Sequence, residues 1–255
     1  MNRSPLHSRV WAASLHLTGS ALLAALAAAL VFLLWYPWPY SVLAGGIGLF
    51  MLITGVDVVM GPLITFVIFD RRKPARELRH DLSIVVLLQL AALVYGLHVM
   101  YAARPVVLAF EGQRFRVVAA VDVAQDELPQ APPALQTLSV TGPVVVGTES
   151  PTDLNRQLEA IERALAGADI GTRPMYWRPW DESARKRALA EAKSLSPLRK
   201  RYESRAAEFD AAVASSGKAA DQLRYLPMLS RHADWVALLD AQSGEIAGFA
   251  PFDGY

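Results

Sequence analysis

The 255-residue chain contains no cysteine, which removes thiol catalysis, disulfide scaffolds and Cys-based zinc or iron–sulfur sites from consideration. It is also poor in charge: Asp, Glu, Lys and Arg make up 19% of residues, where soluble domains carry about 25%. The deficit is local, because no charged residue lies between Arg9 and Asp57 or between Asp81 and Arg104. The charges present nearly cancel. Residues 1–103 hold 7 basic and 4 acidic side chains (net +3), and residues 104–255 hold 18 and 20 (net −2). Bulk nucleic-acid binding, which needs a concentrated basic face, has no support. His7, His16, His80, His98 and His232 have no metal-ligand spacing, and neither a Ser-centred nucleophile elbow nor a phosphate-binding glycine loop occurs. No metal or cofactor is expected, and the chain reads as non-enzymatic.

What the sequence does have is long apolar runs. Val10 to Leu34 is unbroken by charge and measures roughly 37 Å as a helix, more than the ~30 Å hydrocarbon core of a bilayer. Trp35-Tyr36-Pro37-Trp38-Pro39-Tyr40 then interrupts helix with two prolines and places four aromatic rings where a water–lipid boundary suits them, as a tight hairpin at a membrane face. Val42 to Phe69 is apolar again, apart from Asp57, Thr54 and Thr65. Asp70 to Asp81 carries five basic side chains, and loops of that sign stay in the cytoplasm. Leu82 to Tyr101 supplies a third run. The expected architecture is therefore an α-helical membrane domain over 1–103, with spans of about 10–35, 42–69 and 82–101. The N-terminus and the 70–81 loop lie in the cytoplasm of a bacterial inner-membrane protein, and a small α+β domain over 104–255 lies in the periplasm.

Within that second domain the spacing predicts a hairpin of Val106–Phe110 and Phe115–Val121, a strand over Leu138–Val146, and a closing hairpin of Trp235–Leu239 with Ile246–Phe249 across a turn containing Gly244. Helical periodicity runs from Thr152-Asp153 through Leu154, Leu158, Ile161 and Leu165 to Gly167. It recurs from Asp181 to about Ser215, with a break at Ser196-Pro197. The two hairpins are expected to share one sheet.

Several segments resemble a known family. Leu34-Trp35-Tyr36-Pro37-Trp38-Pro39, Gly45-Gly46-Ile47-Gly48-Leu49-Phe50, Gly55-Val56-Asp57-Val58-Val59-Met60-Gly61-Pro62-Leu63 and Leu88-Gln89-Leu90-Ala91-Ala92-Leu93-Val94-Tyr95-Gly96 are similar to type IV pilin accessory proteins of the TfpX/TfpZ kind. Arg104-Pro105-Val106 and Arg114-Phe115-Arg116-Val117-Val118 extend the likeness, which is close over the membrane part and first hairpin and loose beyond. The resemblance implies an inner-membrane protein that assists accumulation or assembly of the major pilin, its expected partner beside the lipid bilayer. It brings no catalytic residues.

Two sets of residues are candidates for partner contact. Asp57 falls in the middle of a span, where an acid costs about 3 kcal/mol on insertion scales and faces protein or water. On a helix it shares one face with Gly46, Phe50, Thr54, Gly61 and Thr65. Its functions open at this point are a polar lock inside a three-helix bundle, contact with a partner's transmembrane helix, or proton transfer. Tyr95, at similar depth on the third span, is its expected partner, whereas His16 lies nearer the cytoplasmic end. The second set is Tyr176, Trp177 and Trp180 in Arg173-Pro174-Met175-Tyr176-Trp177-Arg178-Pro179-Trp180, a composition suited either to an interface anchor or to core packing. A periplasmic sensor or ligand-binding module is the alternative function, since the closing hairpin is similar to strand pairs of sensory domains. A membrane enzyme would need a second acid, a metal cluster or a nucleophile–base set.

Overall fold

The computed structural model describes residues 5–149, 153 and 169–255, and the chain divides into two compact units. The first comprises residues 1–35 and 46–102, the second residues 36–45 and 103–255.

Three helices build the first unit. Helix α1 (Pro5–Leu30) runs on through a π-helical turn at Val31–Trp35, α3 spans Gly46–Ile68 and α4 spans Ala75–Ala103. Each is long and apolar enough to cross a membrane. Their outer faces carry residues such as Leu26, Leu33, Leu52, Val67, Leu87 and Leu88, all exposed. In water this surface would drive aggregation; in lipid it is solvated. Because lipid gives no hydrophobic drive for helix association, contacts inside the unit rest on small residues that let backbones approach. Gly96 of α4 lies against Ile53 of α3, whose side chain a Cβ there would overlap, and Gly61 of α3 is similarly covered by Gln89 of α4. Arg9 closes one end of the bundle by donating from Nε to the Phe69 carbonyl at 2.9 Å.

The second unit is one mixed sheet with helices. Its strands are β1 (Pro105–Phe110), β2 (Phe115–Ala119), β3 (Val144–Thr148), β4 (Trp177–Pro179), β5 (Lys193–Ser194), β6 (Leu223–Leu229), β7 (Trp235–Asp240) and β8 (Ile246–Ala250), in the order β4-β3-β1-β2-β6-β7-β8 with β5 paired to β6. Both expected hairpins form, β1 with β2 and β7 with β8, and a short parallel pairing of β2 with β6 (Phe115↔Met228, Arg116↔Leu229) joins them in one sheet. The expected strand over Leu138–Val146 starts later and continues to Thr148, since Gly142 holds a left-handed conformation (φ +80°) that ends the preceding turn. Strand β6 carries no period-2 signal, because Pro227 interrupts it. Pro227 has no N–H to give, and it falls in the gap between the β5 partners (Tyr225, Arg224) and the β2 partners (Met228, Leu229).

The second helical region comprises α5 (Glu182–Glu191), α6 (Leu195–Arg201) and α7 (Ala206–Ser215). The break comes at residues 192–194, ahead of Pro197, which is tolerated in the first turn of α6, where its missing N–H is not needed. Helix α5 starts where the Asp181 side chain accepts from the Ala184 amide at 2.9 Å. The helix expected from Thr152-Asp153 to Gly167 lies, except for Asp153, outside the described residues.

The inter-span segment is the main departure from the sequence reading. Residues 36–45 belong to the sheet unit, where α2 (Tyr40–Leu43) enters the core beside Leu108, Phe110 and Trp235. Tyr36, Tyr40 and Leu43 are buried, and Tyr40 meets Phe249 edge-on with ring centroids 5.9 Å apart. Span two accordingly begins at Gly46 rather than Val42. Local aromatic composition fits a lipid boundary and a protein core equally well, and here the apolar end of β7 and β8 offers the larger burial.

Candidate functional site

Helix α3 presents its small and polar stripe inward. Gly46, Phe50, Thr54, Gly61 and Thr65 are its buried residues, and Asp57 on the same face is half-buried. Much of this stripe is taken up by the bundle itself. Phe50 meets Phe32 of the π-helical turn at 5.2 Å between ring centroids, Thr54 donates to the Phe50 carbonyl at 2.8 Å, and Thr65 Oγ1 lies 2.6 Å from His16 Nδ1 of α1. Phe50 and Gly61 therefore serve packing within the unit rather than a free contact surface.

What stays open is a cleft of about 520 Å³ between α1, α3 and α4. Its walls are apolar, with Leu15 and Leu23 from α1 and Leu93 from α4, and its polar groups are few: His16, Thr54, Asp57 and Gln89 among them. Asp57 lies eleven residues from either end of α3 (57 − 46 and 68 − 57), hence at mid-depth of the span. Its carboxyl has no hydrogen-bond partner among the described residues, while its backbone carbonyl accepts from Gln89 Nε2 at 2.8 Å. That bond lies one residue before the Val58 carbonyl, which Pro62 leaves without its helical donor. Gln89 Oε1 is buried and has no partner.

Tyr95, expected beside Asp57 from its depth, is 69% exposed on the outer face of α4, and no hydrogen bond joins the two. Equal depth on neighbouring helices does not give equal facing, and Gln89 occupies the inward position instead. Gln89 and His16 are the site residues that sequence reasoning missed. An amide in a 20-residue apolar run is itself a signal, since it must find a partner in lipid. The sequence places His16 near the cytoplasmic end, far from Asp57, but Thr65 lies only three residues from the end of α3 and meets it there.

The aromatic loop is corrected more strongly. Tyr176 and Trp177 are buried, Trp177 with 1% exposure, and its Nε1 donates to the Gly171 carbonyl at 2.8 Å. Trp180 packs edge-on against Phe110 (6.0 Å) and Phe115 (5.6 Å). Tyr176 and Trp177 are core residues, and Trp180 is partly buried and packed against that core.

Several ionic groups in the sheet unit are taken up by structure. Glu111 accepts from Arg114 Nε (3.1 Å), Arg116 Nε (2.9 Å) and the Gly171 amide (3.0 Å), and Asp169 also pairs with both arginines. Glu127 and Arg173 form a buried pair through Nε and Nη2 at 3.0 and 2.8 Å. Asp240 accepts from Lys218 and from the amides of Ser243 and Gln242, which hold its carboxyl below the usual carboxylate range. Burial pushes the Tyr36 phenol up to about 12.

Residues 4–45 match the family described as Fimbrial assembly protein FimB. Over 230 residues the chain is 34% identical to "Fimbrial assembly protein, serogroup I" of Dichelobacter nodosus, covering 89% of this chain and 88% of that protein. It is 33% identical over the same length to the serogroup E1 protein of that organism, and 43% identical over 117 residues (46% of this chain, 89% of that protein) to the protein of serogroups C1 and C2. No solved structure matches.

Proposed function

Since the chain belongs to the family of fimbrial assembly proteins, we propose that it is a non-enzymatic accessory protein of the bacterial inner membrane that chaperones type IV pilin before assembly. The hydrophobic N-terminal helix of the pilin subunit docks in the cleft between α1, α3 and α4, and the sheet unit contacts the subunit's globular part in the periplasm. The observation that carries this reading is the cleft: an opening of about 520 Å³ in a unit whose helices are each long enough to span a bilayer, with polar groups at mid-depth left unused by the bundle. A partner helix entering there gains packing contacts that lipid chains fill poorly. The basic residues Arg71, Arg72, Arg76 and Arg79 argue for a cytoplasmic 70–81 loop, and hence for a periplasmic sheet unit.

The test is co-purification. Tagged protein extracted in mild detergent is expected to carry pilin, identified by mass, and cells lacking the protein are expected to hold less pilin at unchanged transcript level. Leu23→Trp, which fills the cleft from α1, should abolish the co-purification while the protein remains inserted. Retention of pilin by that variant would move the binding site elsewhere, and absence of pilin from the wild-type preparation would end the reading.

A further inference from the structure

Most of the cleft is what any apolar helix or lipid tail would fit, and the exception lies at one depth. Asp57 on α3 and Gln89 on α4 face each other across its floor, joined by the Gln89 Nε2 bond to the Asp57 carbonyl. That bond fixes the amide orientation, with both ends of the amide lying against Gly61 of α3. Gln89 Oε1 is buried without a partner, and the Asp57 carboxyl beside it is also unpaired. Both groups have acceptor capacity to fill, and a carboxyl retains an acceptor oxygen whether or not it is protonated. A buried acceptor without a donor is costly where no water competes for it. Thr54 and His16, which also line the cleft, are engaged within the bundle, Thr54 with the Phe50 carbonyl and His16 with Thr65.

We infer that the cleft selects a transmembrane helix that carries a hydrogen-bond donor, such as an amide, hydroxyl or ammonium group, at the middle of an otherwise apolar segment, and that Asp57 is the specificity-determining residue, held in place by the bond from Gln89 to its backbone carbonyl. The inference rests on the docking of a partner helix in the cleft and adds what feature of that helix is read. A lipid tail fills the apolar walls but leaves the Asp57 carboxyl without a donor, so it is the weaker occupant. An all-apolar helix does the same. The chain thereby discriminates among membrane segments of equal length and hydropathy, which apolar packing alone does poorly because every apolar segment packs about as well. Gly61 is part of the same device, since the amide of Gln89 reaches the Asp57 carbonyl only across a position with no Cβ.

The experiment uses the full chain in nanodiscs of phosphatidylethanolamine and phosphatidylglycerol. The absence of native cysteine lets one fluorophore be placed at an exposed Arg71→Cys. The probes are two labelled synthetic helices, a Leu/Ala 21-mer with lysine flanks and the same peptide with a central Asn. Energy transfer should report tighter binding of the Asn peptide by roughly 3- to 15-fold, the range of interhelical hydrogen bonds in membranes. In the double variant Asp57→Leu, Gln89→Leu the preference should vanish while the affinity for the apolar peptide is kept. Equal binding of the two peptides by the wild type, or a preference that survives in the double variant, overturns donor selection and leaves the accessory function standing. Binding of neither peptide, with phospholipid or a second copy of the chain found in the cleft by native mass spectrometry, overturns the helix-docking cleft itself.

Discussion

Glu111 and Asp57 are both carboxyl groups withdrawn from bulk water, and their surroundings are opposite. Glu111, with only 4% of its side chain exposed, accepts three hydrogen bonds from Arg114, Arg116 and Gly171. Asp57 accepts none at its side chain and lines an open cleft. The sheet unit can saturate Glu111 because its strands and loops bring donors from far along the chain, including an amide 60 residues away. The helical unit satisfies its own backbone within each helix and has few donors to offer. A polar group retained at the centre of such a bundle is therefore either matched to another helix, as Thr65 is to His16, or left for something that is not part of the chain. Glu111 reports on folding, and an unsaturated carboxyl that lines an open cleft points to a partner.

The largest expected effect breaks the aromatic loop away from any binding role. Trp177→Ala combined with Trp180→Ala removes two large side chains from the core around Phe110, Phe115 and Val106. Each such truncation costs about 3–5 kcal/mol, and a domain of this size has about 5–15 kcal/mol in total. The sheet unit should lose its protease resistance at 37 °C, measured by limited proteolysis of spheroplasts. A domain that stays resistant while pilin association falls would return the loop to the surface.

Next in size is the inter-span segment. Gly45 has φ +70°, a left-handed conformation that costs other residues about 1–2 kcal/mol, and a Cβ there would overlap the His232 ring. Gly45→Ala should therefore lower the unfolding midpoint of the sheet unit although it lies between two helices long and apolar enough to cross a membrane. His232→Ala should recover the part due to the overlap and leave the part due to φ. An unchanged midpoint would place residues 36–45 outside the sheet domain's cooperative unit.

Much of this arrangement is legible in the sequence where the pattern is local. The stripe through Gly46, Phe50, Thr54 and Thr65 follows from spacing alone, because a helix period fixes which side chains share a face. The two hairpins follow from alternation around Gly112 and Gly244, both of which adopt positive φ. The rest depends on partners distant in the chain. Nothing near Tyr40 tells that Phe249 will receive it, and nothing near Pro227 tells that β5 and β2 stop on either side of it. Gln89 shows a different gap: a neutral amide draws less notice than an acid, yet it supplies the hydrogen bond that ties α4 to α3.

A smaller effect concerns the turn after β7. Because Lys218 and the amides of Ser243 and Gln242 hold the Asp240 carboxyl below its ordinary range, Asp240 adds stability that is present above the unfolded value of about 3.9 and is lost as pH falls toward its folded value. Between pH 6 and pH 3 the urea midpoint of the sheet unit should fall further in the wild type than in Asp240→Asn, which has no proton to take up. Parallel profiles would mean that the turn amides alone hold the loop.

The smallest expected effect on folding is at Asp57, and this makes it the sharpest use of the contrast with Glu111. Glu111→Leu leaves the Gly171 amide without its acceptor and the Arg114 and Arg116 guanidinium groups with Asp169 alone, so the sheet unit should be destabilised by about 1–3 kcal/mol. Asp57→Leu removes no hydrogen bond made by a side chain, and the bond from Gln89 to the residue-57 carbonyl remains, because that acceptor is backbone. It also replaces a group that costs about 3 kcal/mol at mid-span on insertion scales with one that lipid favours. The thermal midpoint of the Asp57→Leu protein in detergent should therefore equal or exceed that of the wild type, while pilin accumulation falls. A midpoint lowered as far as Glu111→Leu lowers it would make Asp57 an internal lock of the bundle. Its empty acceptors would then no longer be evidence for a partner.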